Sequence, residues 1–210
     1  MAMTTRKAVS CLLAVAACLP LAGCDLKNPL SDPAQSKPDP RLAGVWRWKD
    51  PSGVVEYYHV GRAGGKLPDS VTQLIGVTHH GDGHLTGSAV VLMFPTVLGN
   101  TAFLNVGMEG SNHQQGAVDR LKREGWTPGV LESYSIFKYR VEGDAILLWQ
   151  MTAVAMKQAV TSGKIKGSLA EQGKIGVSRF TDTVENLARF VAAAGDSLFE
   201  KEPRRLERVK

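Results

Sequence analysis

Residues 131–151, LESYSIFKYRVEGDAILLWQM, decide the fold class. Leu131, Ser133, Ser135, Phe137, Tyr139 and Val141 share one face of an extended chain, and Tyr134, Ile136, Lys138 and Arg140 share the other. Alternation over that length predicts a strand. Glu142-Gly143-Asp144 has turn chemistry. Ala145 to Met151 then returns as a partner strand whose continuous apolarity predicts burial on both faces, or on one face inside a barrel.

Upstream, further strand-like segments are separated by turns. Asp50-Pro51-Ser52-Gly53 is a turn before Val54–Val60. Gly61 to Pro68 is a loop before Val71–Thr78, and His80-Gly81-Asp82-Gly83 turns the chain into His84–Met93. Asn100–Val106 is a further short strand. Residues 107–129 read as a long polar connection with a helical turn around Ala117 to Arg123. Downstream, Thr152–Val160 reads as a short helix and Lys174–Phe180 as a last strand. Asp182 and Glu185 have capping-box spacing, and Val184, Leu187, Ala188 and Val191 make a helical apolar face that Gly195 ends. The expected fold is mainly β, with α+β as the alternative: a single antiparallel barrel, or a strongly curved sheet, with a C-terminal helix.

The segment Arg41 to Trp48 opens this domain, and its Leu42, Gly44 and Trp46 resemble the start of lipocalin-like barrels. There a Gly-x-Trp begins the first strand and the Trp closes the barrel floor. The resemblance spans 41–200 and implies a small barrel, but carries over no ligand-binding residue. The connection at 107–129 departs from a simple meander.

The N-terminus is a second landmark. Arg6 and Lys7 precede a stretch from Ala8 to Leu21 without a charge, too short to span a bilayer. It ends in Leu21-Ala22-Gly23-Cys24, which resembles the lipobox of bacterial lipoproteins. That resemblance implies a signal peptide over 1–23, removed after Gly23, and lipid (diacylglyceryl and palmitate-type acyl chains) on Cys24. Several acyl chains on one residue make a firm anchor. Localisation in the cell envelope follows, facing the periplasm or the outside, and Asp25 resembles an inner-membrane retention signal. Cys11 and Cys18 leave with the signal, so the mature chain has no disulfide to rely on. The net charge of +5 includes Arg6 and Lys7, so 5 − 2 leaves +3 on the mature chain, a mild excess that does not point to nucleic acid. Residues 25–40 hold four prolines and few apolar residues and read as a flexible tether following Cys24. Residues 201–210 read as a solvated basic tail.

Candidate sites are few. The strand aromatics Trp46, Tyr57, Tyr134, Phe137, Tyr139 and Trp149 are candidates to line an apolar pocket, with phenol groups as polar handles. His79, Asp82 and His84 have the ligand types for a metal, and a turn there either gathers them or shows them to water. There is no Gly-x-Ser-x-Gly, no His-Glu-x-x-His and no phosphate-loop order, and Ser162 with Lys164 is a chance pairing of common turn residues. The chain reads as non-enzymatic and implies no cofactor. Three readings stand: a barrel binding a lipid or other small apolar ligand, an accessory lipoprotein docking on an envelope protein, and a metal site at 79–84.

Overall fold

A computed structural model describes residues 25–80, 83–108, 114–127, 129–131, 133–169 and 179–210. The signal segment and Cys24 lie outside the described residues, as does most of the strand expected at 174–180.

In chain order the elements are β1 (Asp25–Leu26), β2 (Gly44–Lys49), β3 (Val55–Arg62), β4 (Thr72–His79), β5 (Leu85–Leu98), β6 (Thr101–Met108), α1 (Gln114–Glu124), β7 (Ser133–Glu142), β8 (Ala145–Gln150), α2 (Ala153–Thr161), β9 (Gly167–Ser168), β10 (Arg179–Phe180), α3 (Val184–Ala194) and β11 (Arg204–Arg208). Strands β2 to β8 pair antiparallel in sequence order. β11 pairs with both β8 and β2, also antiparallel, and this closes an eight-stranded barrel. Closure removes every free edge from these eight strands.

Two cores result from the period-two alternation. Trp46, Tyr58, Val60, Val91, Met93, Leu104, Val106, Phe137, Tyr139, Ile146 and Leu206 fill the barrel together with Leu42. An eight-stranded barrel has an interior about wide enough for such side chains. The second core lies outside the wall, where Leu92, Phe94, Phe103, Tyr134 and Ile136 meet Leu26, Leu30, Val118, Leu121, Met156, Leu187 and Val191. The wall is therefore apolar on both faces along β5 to β7, and α1 to α3 cover the outer one. That arrangement accounts for the near-continuous apolarity of β8, whose Ile146 packs inside while Leu147 is buried on the other face.

Three expectations are corrected. The stretch 25–40, expected as a flexible tether, is packed on the barrel: Leu26 is fully buried and Leu30 is 2% exposed. Leu26 pairs with Tyr134 of β7 and with Phe180 of β10. The Leu30 amide donates to Asn105 Oδ1 at 2.7 Å, and Ser70 Oγ donates to the Pro33 carbonyl at 2.5 Å. Pro33 and Pro40, two of its four prolines, begin short 3-10 turns at Pro33–Gln35 and Pro40–Leu42, opened by Asp32 and Asp39. Composition understated this arm because two leucines are enough when the opposing wall is already apolar; each buried one contributes about 2 kcal/mol.

The expected tail is the second correction, since β11 is the strand that closes the barrel. Its inward positions are Arg204, Leu206 and Arg208, so the strand period was hidden among basic residues. It also follows α3, so the late helix is not the last element. The third concerns the cap: Thr183, not Asp182, is the N-cap of α3, its hydroxyl accepting from Asn186 N at 3.3 Å. Asp182 instead ties β9's approach to the helix, accepting from the Lys166 and Thr183 amides and from Asn186 Nδ2. These donors, the Asn186 side chain first, hold its carboxyl below the usual range.

Candidate binding site in the barrel

The two ends of the barrel differ. One is a floor, built where β2 begins and β11 ends. Trp46 is fully buried there, and its Nε1 donates to the Leu42 carbonyl at 2.8 Å. The Arg208 guanidinium lies 4.1 Å from the Trp46 ring centre and donates to the Ala43 and Arg41 carbonyls, each at 2.8 Å. One basic side chain thus locks the first strand, the last strand and the turn before Gly44. Gly44 has φ 135, which favours glycine, and a side chain there would also displace the tip of Arg208. Tyr139 donates to Asp39 at 3.0 Å, and Asp39 receives a two-pronged grip from Arg41 at 2.9 and 2.8 Å. The Arg41 side chain holds the Asp39 carboxyl below its ordinary value, while burial and then Asp39 push the Tyr139 phenol up.

The opposite end, the mouth, carries charge facing inward. Glu56 of β3 is 2% exposed and lies opposite Trp48 of β2. Tyr58 donates its hydroxyl proton to Glu56 Oε2. Burial pushes the Glu56 carboxyl up from 4.5 to about 7; Arg204 pulls it down, and Asp50 in the β2–β3 turn pushes it up. Arg204 of β11 places its guanidinium 4.8 Å from the Trp48 ring centre. Its Nη1 is buried without a hydrogen-bond partner. Thr78 and Ser135 are further buried polar residues on inward positions. Trp48 and Leu148, on the same inner face, are only partly buried.

Strand parity divides the aromatic candidates. Trp46, Phe137 and Tyr139 are inside the barrel. Tyr57 faces outward with its ring edge-on to His79, centres 5.1 Å apart. Tyr134 is buried in the outer core, where burial pushes its phenol up. Trp149 is on the outer wall under Lys138 Nζ at 4.4 Å and Arg140 at 5.7 Å. It lines a cleft of about 660 Å³ with Tyr139, Phe199 and Lys201. The cations over Trp149 are each matched by a carboxylate, Lys138 by Asp196 and Arg140 by Glu142, which blunts the cleft's attraction for an anion. The structure therefore does not gather all six into one pocket. The inward group that aromatic counting missed is Glu56, Tyr58, Trp48 and Arg204. Glu56 was legible as a charge sharing a period-two face with Tyr58 and Val60, whereas Arg204 was concealed in the supposed tail.

Of the metal candidates, Asp82 lies outside the described residues. His80 donates its amide to the His84 carbonyl at 3.0 Å across the β4–β5 turn, and the His79 ring packs edge-on against Tyr57. Among the described residues no group of three His, Cys, Asp or Glu side chains could hold a metal. No described helix is long and apolar enough to cross a membrane. No protein-family model matches the chain, and comparison with curated proteins and with solved structures returns no match.

Proposed function

We propose that this chain is a cell-envelope lipoprotein, held by lipid on Cys24, whose barrel takes a small apolar ligand from the end opposite its Trp46 floor. The observation that carries the binding reading is the buried Arg204 nitrogen without a hydrogen-bond partner at the mouth. Trp46, Leu42 and the Arg208 clamp form the floor, beside which inner-face Ala102 and Val141 are partly covered and border the cleft with Tyr139. The mouth has inner-face Trp48 and Leu148 only partly covered and an Arg204 nitrogen lacking a partner. Buried donors are nearly always satisfied in folded proteins, so a partnerless one next to half-covered apolar groups suits a ligand with an apolar body and a polar end. The lipid reading is supported by the order of charge, apolar run and lipobox-like Leu21 to Cys24.

The test uses the full chain made in a lipidating bacterial host. Wild type is expected in the membrane fraction, and Cys24→Ala is expected to lose that attachment. In zwitterionic nanodiscs the protein is expected to bind dodecanol beyond what empty nanodiscs take up, with the mouth change Leu148→Trp reducing it at least fivefold. Equal uptake by loaded and empty discs would overturn the binding reading. The docking alternative has less behind it: among the described residues the exposed large apolar ones, Ile75, Leu85, Val97, Val154, Leu169 and Val209, are on different parts of the chain or at opposite ends of one strand.

A further inference from the structure

We propose that the barrel mouth recognises an anionic amphiphile by its carboxylate head, which Arg204 receives while Glu56 takes up one proton from solvent. This rests on the barrel-binding reading and adds the ligand's head chemistry and its coupling to pH.

The argument begins with Arg204. A guanidinium carries five N–H donors in a rigid fork matched to a carboxylate. Arg204 is oriented by stacking over Trp48, yet Nη1 finds no acceptor. The adjacent anion does not supply one. Glu56 feels the Arg204 charge, but no ion pair joins them, and its Oε2 is occupied by the Tyr58 hydroxyl. The pair is thus close enough to interact and too far apart to close. A carboxylate has the oxygens and the charge to complete Arg204, with the apolar body of the ligand against Trp48 and Leu148.

Charge then dictates the proton. The charged and titratable groups acting on Glu56 are Arg204 from β11, Asp50 from the β2–β3 turn and Tyr58 from its own strand; β4 presents only the neutral Thr78. One cation cannot balance two buried carboxylates alongside Asp50, so a bound anion favours neutral Glu56. The protonated carboxyl still accepts from Tyr58 through one oxygen and donates its own proton through the other. No covalent bond changes: where Glu56 is ionised in the free protein the complex forms with uptake of one proton, and where it is already neutral with none. The free carboxyl titrates near 7, so the sign is set. Below that pH Glu56 is already neutral and binding is tight. Above it the proton must be drawn from solvent, and affinity falls by up to tenfold per pH unit.

The experiment is calorimetric titration of the full-length protein in zwitterionic nanodiscs with dodecanoate and with dodecanol, at pH 6.5 and 8.5, against empty discs. Wild type is expected to bind dodecanoate at least fivefold more weakly at pH 8.5, with dodecanol unchanged. Glu56→Gln is expected to bind dodecanoate without that pH dependence. Arg204→Met is expected to lose dodecanoate affinity at least tenfold and to keep dodecanol. Dodecanol binding with dodecanoate no better in wild type than in Arg204→Met overturns the head-group assignment and leaves the barrel reading standing. Binding of dodecanoate that is equal at both pH values overturns the proton coupling. Failure of both ligands overturns the barrel reading itself. Should Arg204→Met not fold, the Glu56→Gln profile decides.

Discussion

At the scale of the residue, Glu56 and Arg208 show how one side chain can act for or against the fold. A carboxyl raised from 4.5 to about 7 binds a proton in the folded protein that the unfolded chain has already lost. Folding stability therefore falls as pH rises from about 4.5 through 7, because the folded state must either hold the proton or bury a charge. Glu56→Gln removes this penalty. At pH 8.5 the variant is expected to be more stable than wild type by about 2 kcal/mol, an order of magnitude set by the 1.36 kcal/mol per pKa unit; at pH 4.5 the two should coincide. Urea unfolding at both values checks this, and a difference that does not change with pH would show that Glu56 is not the group responsible. Arg208 acts in the opposite sense. Its two hydrogen bonds to the Ala43 and Arg41 carbonyls and its stack on Trp46 join the start of β2 to the end of β11. Arg208→Met keeps much of the stem and loses the donors, with an expected cost of about 2 kcal/mol by denaturant titration. A change below about 0.5 kcal/mol would mean that the clamp is screened and dispensable.

Among the elements, the arm preceding β2 is the most instructive. Asn105, buried in β6, accepts from the Leu30 amide and donates to the Phe94 carbonyl and to Thr96 Oγ1. One amide side chain thus fastens the arm and bridges to β5. Leu30→Ala is expected to cost about 2–4 kcal/mol, the range for a buried leucine truncated to alanine. The Leu30 amide should be protected from hydrogen exchange nearly as long as those of the wall. Fast exchange there, with no loss of stability in Leu30→Ala, would restore the arm to a tether. At the start of the arm, Asp25 is paired with Arg179 of β10 and bridged to its side chain.

For the whole molecule, closure is the property on which the rest depends. β11 supplies both seams, to β8 and to β2, and contributes Leu206 to the inner core and both inward arginines. A chain ending at residue 203 would leave two unpaired edges and open the core to water. It is expected to lose cooperative unfolding by circular dichroism and to aggregate. A soluble chain of that length with a single sharp transition would show that closure is not needed for the fold.

Much of the barrel was determined locally and could be read without coordinates. Alternation in 131–151, the Gly-x-Trp at 44–46 and the turns at 50–53 and 142–144 specify strands and reversals through neighbours two to four residues apart. Which aromatics face inward also follows from parity, once one residue on each strand is oriented. Other features depended on contacts between distant segments. Leu26 and Leu30 are buried only because β7, β10 and β6 present partners more than 70 residues away. Arg204 and Arg208 resemble a solvated terminus until Trp48 and Trp46 are placed beneath them. The charged mouth arises in the same way: Glu56 is an ordinary strand residue in the sequence, and ring closure by β11 brings Arg204 beside it. Closure is a long-range pairing, and no local pattern of hydropathy encodes which strand will meet the first.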